Sequence, residues 1–439
     1  MEVLTRLGEI GGRGTATTAM IEIADRCNEV CVHCYQVQGT KGELETADWR
    51  QILDELAELG VLVLTISGGE ATLRDDFLEL VAYARQLKFA VKLYTNALRL
   101  DDAMADELAR LAVQEVQISL YSPRAEVHDA VTGVPGSFEK VVRAVRLLRA
   151  RGVGTVIKTV LASFNVDDRD AYIKLASDLD TDFMFDPQIS PREDGDRTPQ
   201  AYGLSVEQRR AVQKDERLVR SNVVPASREE RLDQAPCGAC VGHVHVEANG
   251  ELRPCTQLGW SYGDARDGIR RAWESRPVTQ LRDMRWRDLI GCRDCELSPY
   301  CSRCYANALK ESGDALAPYA SACQRAQLRY EAVVGVRPSI DADDQSPPGV
   351  GPFRAIAQHR FVQFSATRPA NEDRVRAALG WTLAPVQSAV PQTELVQIRR
   401  RGPKRTRPTV VQEQSTDAEP RSTVVDSRAP CGQTKACLE

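Results

Sequence analysis

The 439-residue sequence has no apolar run approaching the roughly 18 residues of a membrane-spanning helix. Its first 20 residues are polar and Gly-rich and lack the hydrophobic segment of a secretory signal. Neither membrane insertion nor export is expected. A surplus of positive charge is missing as well: a net charge of -5 and a pI of about 5.8 give no support for nucleic-acid binding as the main function. Arg outnumbers Lys heavily, which reads as genomic bias and not as chemistry. Residues 1–18 are too short and too rich in Gly and Thr to be a domain, so no peptide-recognition module is expected ahead of the first folded unit.

Cysteine, by contrast, is plentiful. Thirteen cysteines in a chain without an export signal point to a reducing, cytoplasmic setting and to metal ligation in preference to disulfides. The first three, Cys27, Cys31 and Cys34, are spaced C-x3-C-x2-C directly after the apolar run Ala19 to Ala24. Three thiolates on one loop can hold three irons of a cubane and leave the fourth iron without a protein ligand. Structural zinc would bring four ligands, usually as paired cysteines, and matches a lone trio poorly.

From Ala19 to about Pro187 the pattern alternates strand and helix. Val61 to Ile66 is a continuous apolar run of the kind buried on both faces of a parallel sheet. Thr46 is placed to cap a helix bearing Trp49, Ile52, Leu53, Leu56 and Leu59 at helical spacing. Further strands are expected at Phe89–Tyr94, Glu115–Leu120, Thr155–Leu161 and Asp182–Phe185. Helices fall near Asp75–Leu87, Asp102–Leu111, Ser137–Arg151 and Asp168–Leu179, with Gly152 closing the third of these. About six strand-helix units give an α/β fold, either a barrel or an open doubly wound sheet. Ser67-Gly68-Gly69-Glu70 follows the second strand, where two residues without side chains let backbone carbonyls approach a small ligand. Pro191 to Asp196 reads as a charged, solvated loop, with substrate contact by Arg192 an outside alternative. Ser205 to Val219 reads as a bridging helix.

Eight more cysteines lie between Cys237 and Cys323, enough for two four-thiolate sites. Cys237-x2-Cys240 leads into an alternating strand containing His243 and His245, then an Asn249-Gly250 turn and a return strand ending at Cys255. The hairpin brings Cys255 back beside the first pair. The two histidines share one face, read as exposed. Cys292-x2-Cys295-x5-Cys301-x2-Cys304 and Cys323 follow. On spacing alone, zinc and iron–sulfur are comparable here.

The first cysteine loop resembles the signature of radical S-adenosylmethionine (SAM) enzymes, C-x3-C-x-aromatic-C after the first strand. The resemblance implies a partial (β/α)6 TIM-like barrel carrying a 4Fe-4S cluster at the C-terminal ends of its strands, with the open iron chelating SAM. Reductive cleavage then gives a 5'-deoxyadenosyl radical that abstracts a substrate hydrogen. His33 stands at the aromatic position, which implies a packing or backbone role beside the cofactor. Gly68, Gly69 and Glu70 match the stretch that binds the SAM amino group, with Ala71 in place of the usual Pro. Ser119 and Asn96 match polar residues that contact SAM. The later cysteines resemble a SPASM domain, with Cys240, Gly250 and Cys255 at matching intervals and Cys301-x2-Cys304 one residue short. By that resemblance Cys237, Cys240, Cys255 and Cys304 hold one auxiliary 4Fe-4S cluster, and Cys292, Cys295, Cys301 and Cys323 hold another. Thr256 stands where sulfatase-maturing relatives have an Asp, which argues against formylglycine formation and leaves no candidate general base.

This reading divides the chain into an N-terminal extension (1–18), the radical SAM barrel (19–200), a bridging segment (201–236), the SPASM domain (237–330) and a tail (331–439). Half of the 22 prolines fall in the tail, which reads as largely disordered apart from a short helix after Asn371. Its basic residues Arg399, Arg400, Arg401, Lys404, Arg405 and Arg407 read as solvated, and Cys431 and Cys437 match no metal pattern. The function implied is modification of a residue in a ribosomally made peptide or protein: cross-link, thioether, epimerisation or oxidation. Expected partners are that substrate, a separate leader-recognition protein and an electron donor such as flavodoxin or ferredoxin. The alternatives are tailoring of a haem-like cofactor precursor and a non-catalytic zinc scaffold.

Overall fold

The computed structural model describes residues 14–194, 196–215, 217–218, 227–289 and 291–335, and the backbone of 382–383 and 396–398. Six parallel strands lie side by side in chain order: β1 (Thr18–Ala24), β2 (Val63–Gly68), β3 (Ala90–Thr95), β4 (Glu115–Ser119), β5 (Gly154–Val160) and β6 (Asp182–Asp186). Between them run α1 (Thr46–Leu59), α2 (Phe77–Gln86), α3 (Asp102–Arg110), α4 (Ala125–Thr132), α5 (Ser137–Ala150) and α6 (Arg169–Asp178). Parallel neighbours require a crossover, and each crossover here carries a helix across one face of the sheet. Ile21, Ile23, Leu64, Ile66, Val91 and Leu93 are fully buried in the core with Trp49, Ile52 and Leu53 of α1. The opposite face carries polar side chains, among them Ser67, Gln117, Ser119 and Lys158.

The strands fall within two residues of their expected places. Helix α1 begins differently: Glu45 is its N-cap and forms a reciprocal capping box with Asp48. Thr46 is instead the first helical residue, and its hydroxyl donates to Asp76 Oδ2 at 2.6 Å. Gly152 (φ +75°) follows α5 in the left-handed region, as a closing glycine should. Helix α4 has no counterpart in the sequence reading. Beyond the sheet, α7 (Val206–Lys214) and α8 (Arg228–Leu232) carry the chain to the second cysteine region.

There the expected hairpin forms from β7 (His243–Val246) and β8 (Glu251–Arg253), with Val246 opposite Leu252. It does not stand apart. Strand β7 pairs in parallel with β1, Thr18 opposite His243 and Ile21 opposite Val246, so β1 is flanked by β2 and β7. This placement buries His245 completely, and His243 Nδ1 lies 2.9 Å from Thr18 Oγ1. The exposed face expected for the two histidines is therefore corrected: the strand they sit on is an inner one. Strands β9 (Trp260–Ser261) and β10 (Gly263–Asp264) follow, then α9 (Ile269–Trp273), α10 (Arg276–Asp283), α11 (Tyr305–Ser312) and α12 (Ala320–Val334). Within 331–439, the described parts are the end of α12 and two short strands, Thr382–Leu383 and Val396–Ile398, which pair with β9 and β6. The helix after Asn371, the basic residues Arg399 to Arg407, Cys431 and Cys437 lie outside the described residues.

Candidate active site

The first cysteine loop leaves the C-terminal end of β1 and is held at three places. Its base is closed by Asp25, whose Oδ2 accepts from Lys41 N at 2.5 Å and Gly42 N at 3.2 Å. Its middle is pinned to α4, where Val30 N donates to Thr132 O and Val32 N to Val131 O, each at 3.0 Å. Its start lies on the end of β2: Gly69 N donates to Ala24 O at 2.7 Å and Glu70 N to Arg26 O at 2.9 Å. This last contact explains both glycines. A Cβ on Gly68 (φ +143°) would lie 2.4 Å from Ala24 O, and one on Gly69 would lie 2.4 Å from Arg26 O. Their bare backbone admits the cysteine loop itself.

Glu70 sits behind the cavity wall and is 1% exposed. Its Oε1 accepts from Thr72 N (3.0 Å), Thr72 Oγ1 (2.6 Å) and Thr95 Oγ1 (2.8 Å), and its Oε2 from Asn96 N at 2.7 Å. The carboxylate thus ties the ends of β2 and β3 together. Asn96 in turn places Nδ2 at 2.7 Å from Asn28 Oδ1 and 3.7 Å from Cys27 Sγ.

A cavity of about 290 Å³ lies at the C-terminal ends of all six strands. Cys27, Cys31, Cys34, His33, Gly68, Gly69, Asn96 and Ser119 line it; Glu70 does not. Burial pushes the Cys27 thiol up to about 12, with Glu70 and Glu29 adding to the effect, and pushes Cys31 and Cys34 up as well. Such thiols give up their protons only to a compensating positive charge, which is what a cationic iron site supplies. Cys31 Sγ also faces Glu29 Oε2 at 3.3 Å and the Tyr121 hydroxyl at 3.9 Å. Burial holds His33 near 4, so the ring is neutral at physiological pH, and it packs edge-on against Tyr121 at 4.5 Å.

Sequence reasoning missed several wall residues, among them Tyr121, Lys158, Asp186 and Gln188. Lys158 interrupts an otherwise apolar strand, the one signal that could have marked it. Its amine lies 3.7 Å from the centre of the Tyr94 ring. Burial pulls its pKa down to about 8, against the opposing pull of Asp186 and Glu115 and with help from Lys92.

The later cysteines gather into two groups. Cys237 and Cys240 precede β7, Cys255 follows β8 and Cys304 precedes α11. Burial raises all four thiols, to about 11 for Cys237 and about 12 for Cys255. Mutual repulsion adds to it: Cys237 and Cys255 each feel Cys304, and Cys240 feels both Cys255 and Cys237. In the second group Cys295 feels Cys323 and Cys292, Cys301 feels Cys292 and Cys295, and Cys323 feels Cys301 and Cys292. All eleven described cysteines are free thiols. Each group presents four soft, buried donors, a set that fits a cubane or a zinc ion. Arg303 NH1 approaches Cys292 Sγ at 3.5 Å, a cation placed beside what would become a thiolate.

The loop expected to be solvated is only partly so. Glu193 is 6% exposed and pairs with Lys41 Nζ at 2.8 Å, while Lys41 also reaches Glu247 at 2.7 Å. Arg253 NH1 lies 2.9 Å from Glu247 Oε1, and His245 Nε2 is 3.4 Å from the same oxygen. This buried network joins the cysteine loop, the segment after β6 and the hairpin. Arg192, by contrast, pairs weakly with Asp196 at 3.8 Å and lies near enough to Cys34 to offset part of the rise that burial imposes on that thiol.

Residues 21–176 match the model of the radical SAM superfamily. The chain carries a radical SAM domain. Within that domain it is 42% identical over 159 residues to mycofactocin maturase MftC of Mycobacterium tuberculosis, covering 36% of this chain and 40% of that protein. The chain thus matches about two fifths of the maturase's length. Longer alignments reach the AdoMet-dependent heme synthase of Methanosarcina barkeri (27% over 325 residues, 67% and 93% of the two chains) and the PqqA peptide cyclase of Xanthomonas euvesicatoria (28% over 358 residues, 75% and 92%). Among solved structures, Streptococcus suis SuiB bound to its precursor peptide SuiA superposes with a TM-score of 0.57 at 18% identity, covering 71% and 76% of the chains. That likeness supports the fold: a mixed α/β chain built on the parallel sheet of the radical SAM type.

Proposed function

We propose that this protein is a radical SAM enzyme that abstracts a hydrogen from a residue of a ribosomally made peptide or protein. The observation that carries the reading is the convergence of three free thiols from one loop on a cavity walled by the ends of six parallel strands. Cys27, Cys31 and Cys34 would hold the 4Fe-4S cluster, and Gly68, Gly69, Asn96, Ser119 and His33 would lie along SAM. When bound, cluster and SAM supply a carbon-centred radical that removes a hydrogen atom from the substrate. The protein's own part is to hold that chemistry dry and aligned. Tyr121 and His33 form an aromatic wall, Glu70 fixes Asn96, and the Lys158 Nζ stands over the Tyr94 ring on the same wall.

Cys237, Cys240, Cys255 and Cys304 would hold one auxiliary cluster and Cys292, Cys295, Cys301 and Cys323 a second, so that residues 237–330 act as a SPASM domain. Iron is favoured over zinc by the company these sites keep: a radical SAM domain on the same sheet has an electron to dispose of after substrate oxidation, and zinc cannot take it. A separate leader-binding protein and a flavodoxin- or ferredoxin-like donor complete the scheme. The abundance of free thiols suits the cytoplasm. Among the described residues, no helix is long and apolar enough to cross a membrane.

The peptide reading draws on the maturase and the peptide cyclase; the heme synthase, matched over most of its length, favours a second reading, a haem-like small molecule. Anaerobically reconstituted protein should contain about 12 irons, release 5'-deoxyadenosine on reduction with SAM, and lose that release when Cys27, Cys31 and Cys34 are all replaced by Ala. Release from the triple variant would refute the catalytic assignment. Co-expression with the short reading frame beside the gene, followed by peptide mass measurement and chiral amino-acid analysis, separates the two substrates: a peptide unchanged in both mass and stereochemistry counts against the first.

A further inference from the structure

The stretch Cys301-Ser302-Arg303-Cys304 is where the two later groups of cysteines meet along the chain, Cys301 belonging to one and Cys304 to the other. Between those ligands stands an arginine, and the fold keeps its side chain out of water. Arg303 is 7% exposed.

The guanidinium is held by uncharged groups. Its Nη1 donates to Ala317 O at 2.7 Å, its Nη2 donates to Ala315 O, and its carbon lies 5.8 Å from the centre of the Tyr319 ring. Tyr319 is buried too, and its hydroxyl accepts from Cys304 N at 2.8 Å. The same Nη1 reaches Cys292 Sγ at 3.5 Å. None of these partners is a carboxylate. A guanidinium keeps its proton throughout the physiological range, so a full positive charge is buried here among carbonyls, a ring and a thiol. A buried charge is costly unless an anion accompanies it.

A second observation points to where that anion belongs. Arg303 Nε is buried without a hydrogen-bond partner, a state in which native structures leave few polar groups. The side chain lies within electrostatic reach of Cys237 in the first group and of Cys292, Cys301 and Cys323 in the second. Other cations flank these sites: Arg282 near Cys240, Lys310 near Cys255 and Cys304, and Arg325 near Cys301 and Cys304. Arg303 touches a sulfur of one group and lies in reach of the other. A cubane on four thiolates is anionic and becomes more so on reduction, so two of them would supply the missing negative charge, and a cation beside them favours their reduced form.

Resting on the reading of residues 237–330 as a two-cluster domain, we infer that Arg303 is a positioning residue for electron transfer, one buried charge shared by both auxiliary clusters that makes each easier to reduce. When the substrate radical closes to product it gives up one electron and one proton. The proton passes to solvent, and the electron enters a cubane core, where Arg303 offsets the added negative charge.

The test uses the full-length chain carrying Cys27→Ala, Cys31→Ala and Cys34→Ala, reconstituted anaerobically, so that the remaining iron, about 8 per chain, belongs to the later cysteines. Redox titration followed by electron paramagnetic resonance gives a midpoint for each cluster. In this background Arg303→Gln should lower both midpoints, shifting the oxidised-to-reduced ratio at fixed potential by about tenfold or more, which for one electron is ~59 mV. Arg303→Lys keeps the charge and should keep both midpoints near the parent's. Full iron with neither midpoint moved, or with only one moved, would overturn the inference, as would Arg303→Lys and Arg303→Gln proteins that shift alike. Should Arg303→Gln take up no iron, Arg303→Lys decides: normal iron and near-parent midpoints support the charge, whereas loss of iron from both shows a purely structural residue and overturns it. Metal analysis of the wild type tests the underlying reading separately, because about 4 irons with zinc at the later cysteines refutes the clusters themselves.

Discussion

Replacing Glu70 by Gln separates two roles for this carboxylate. In the structure it touches no part of the cavity and accepts four hydrogen bonds, three at Oε1 and one at Oε2 from Asn96 N. A glutamine keeps its size and can present its carbonyl oxygen to Thr72 and Thr95. Its NH2 group must then face the Asn96 N–H, donor against donor, at a position where the native distance is 2.7 Å. One charge-assisted bond is lost and one buried N–H is orphaned, together about 2–4 kcal/mol. The loosened Asn96 would also release Asn28 and its hold beside Cys27. Urea unfolding of the reconstituted variant should therefore show a lower midpoint with an unchanged slope, and equilibrium dialysis should show weaker SAM binding in parallel. A direct SAM contact predicts another pattern, native stability with SAM affinity alone reduced. Observing that pattern would refute the role assigned here and favour the SAM contact expected from the sequence motif.

Gly69→Ala places a methyl group 2.4 Å from Arg26 O, so the cysteine loop must shift; a stability loss of about 1–3 kcal/mol and a large fall in 5'-deoxyadenosine release are expected from thermal melts and product assay. Cys304→Ser and Cys323→Ser should each remove about four irons without additive loss inside a group: Cys304→Ser with Cys255→Ser should match either single variant, and iron analysis of the doubles checks the grouping. Lys158 gives a pH signature. Its folded value, near 8, lies below the unfolded 10.5, so the unfolded chain holds more protons between those values and stability should rise with pH across that window. Wild type should gain up to ~3 kcal/mol relative to Lys158→Met on going from pH 8 to 10.5; a difference that does not change with pH would show that the amine is not held neutral.

The parts of the site legible in the sequence were those whose constraint is local. Cys27, Cys31 and Cys34 depend on one loop, and the Ser67 to Glu70 turn on the end of one strand, so spacing and order were enough. The strands announced themselves through the apolar residues that face the helices, such as Leu64, Ile66, Val91 and Leu93. What stayed hidden depends on partners far away in sequence. Helix α4, only eight residues between Arg124 and Gly133, has weak periodicity, yet it pins the cysteine loop. The burial of His245 follows from β7 lying on β1, and nothing in residues 243–246 declares that neighbour. Likewise Lys41, Glu193, Glu247 and Arg253 are far apart in sequence, and only the fold brings them into one buried cluster. Lys158 looks like a flaw in its strand and Asp186 like the first residue after one, yet both line the cavity.

The double pairing of β1 has a consequence for how this polypeptide can be divided. Its backbone is shared property: residues Thr18 to Ile21 pair on one side with β2, where Val63 faces Thr18, and on the other with β7, where His243 faces the same residue from far later in the chain. A fragment ended at residue 200 would expose the row of amide and carbonyl groups that β7 now covers, an open ladder ready to stick to its own kind. Such a fragment should precipitate or self-associate instead of behaving as a free-standing enzyme core, and adding the missing hairpin segment in trans should bring it back into solution.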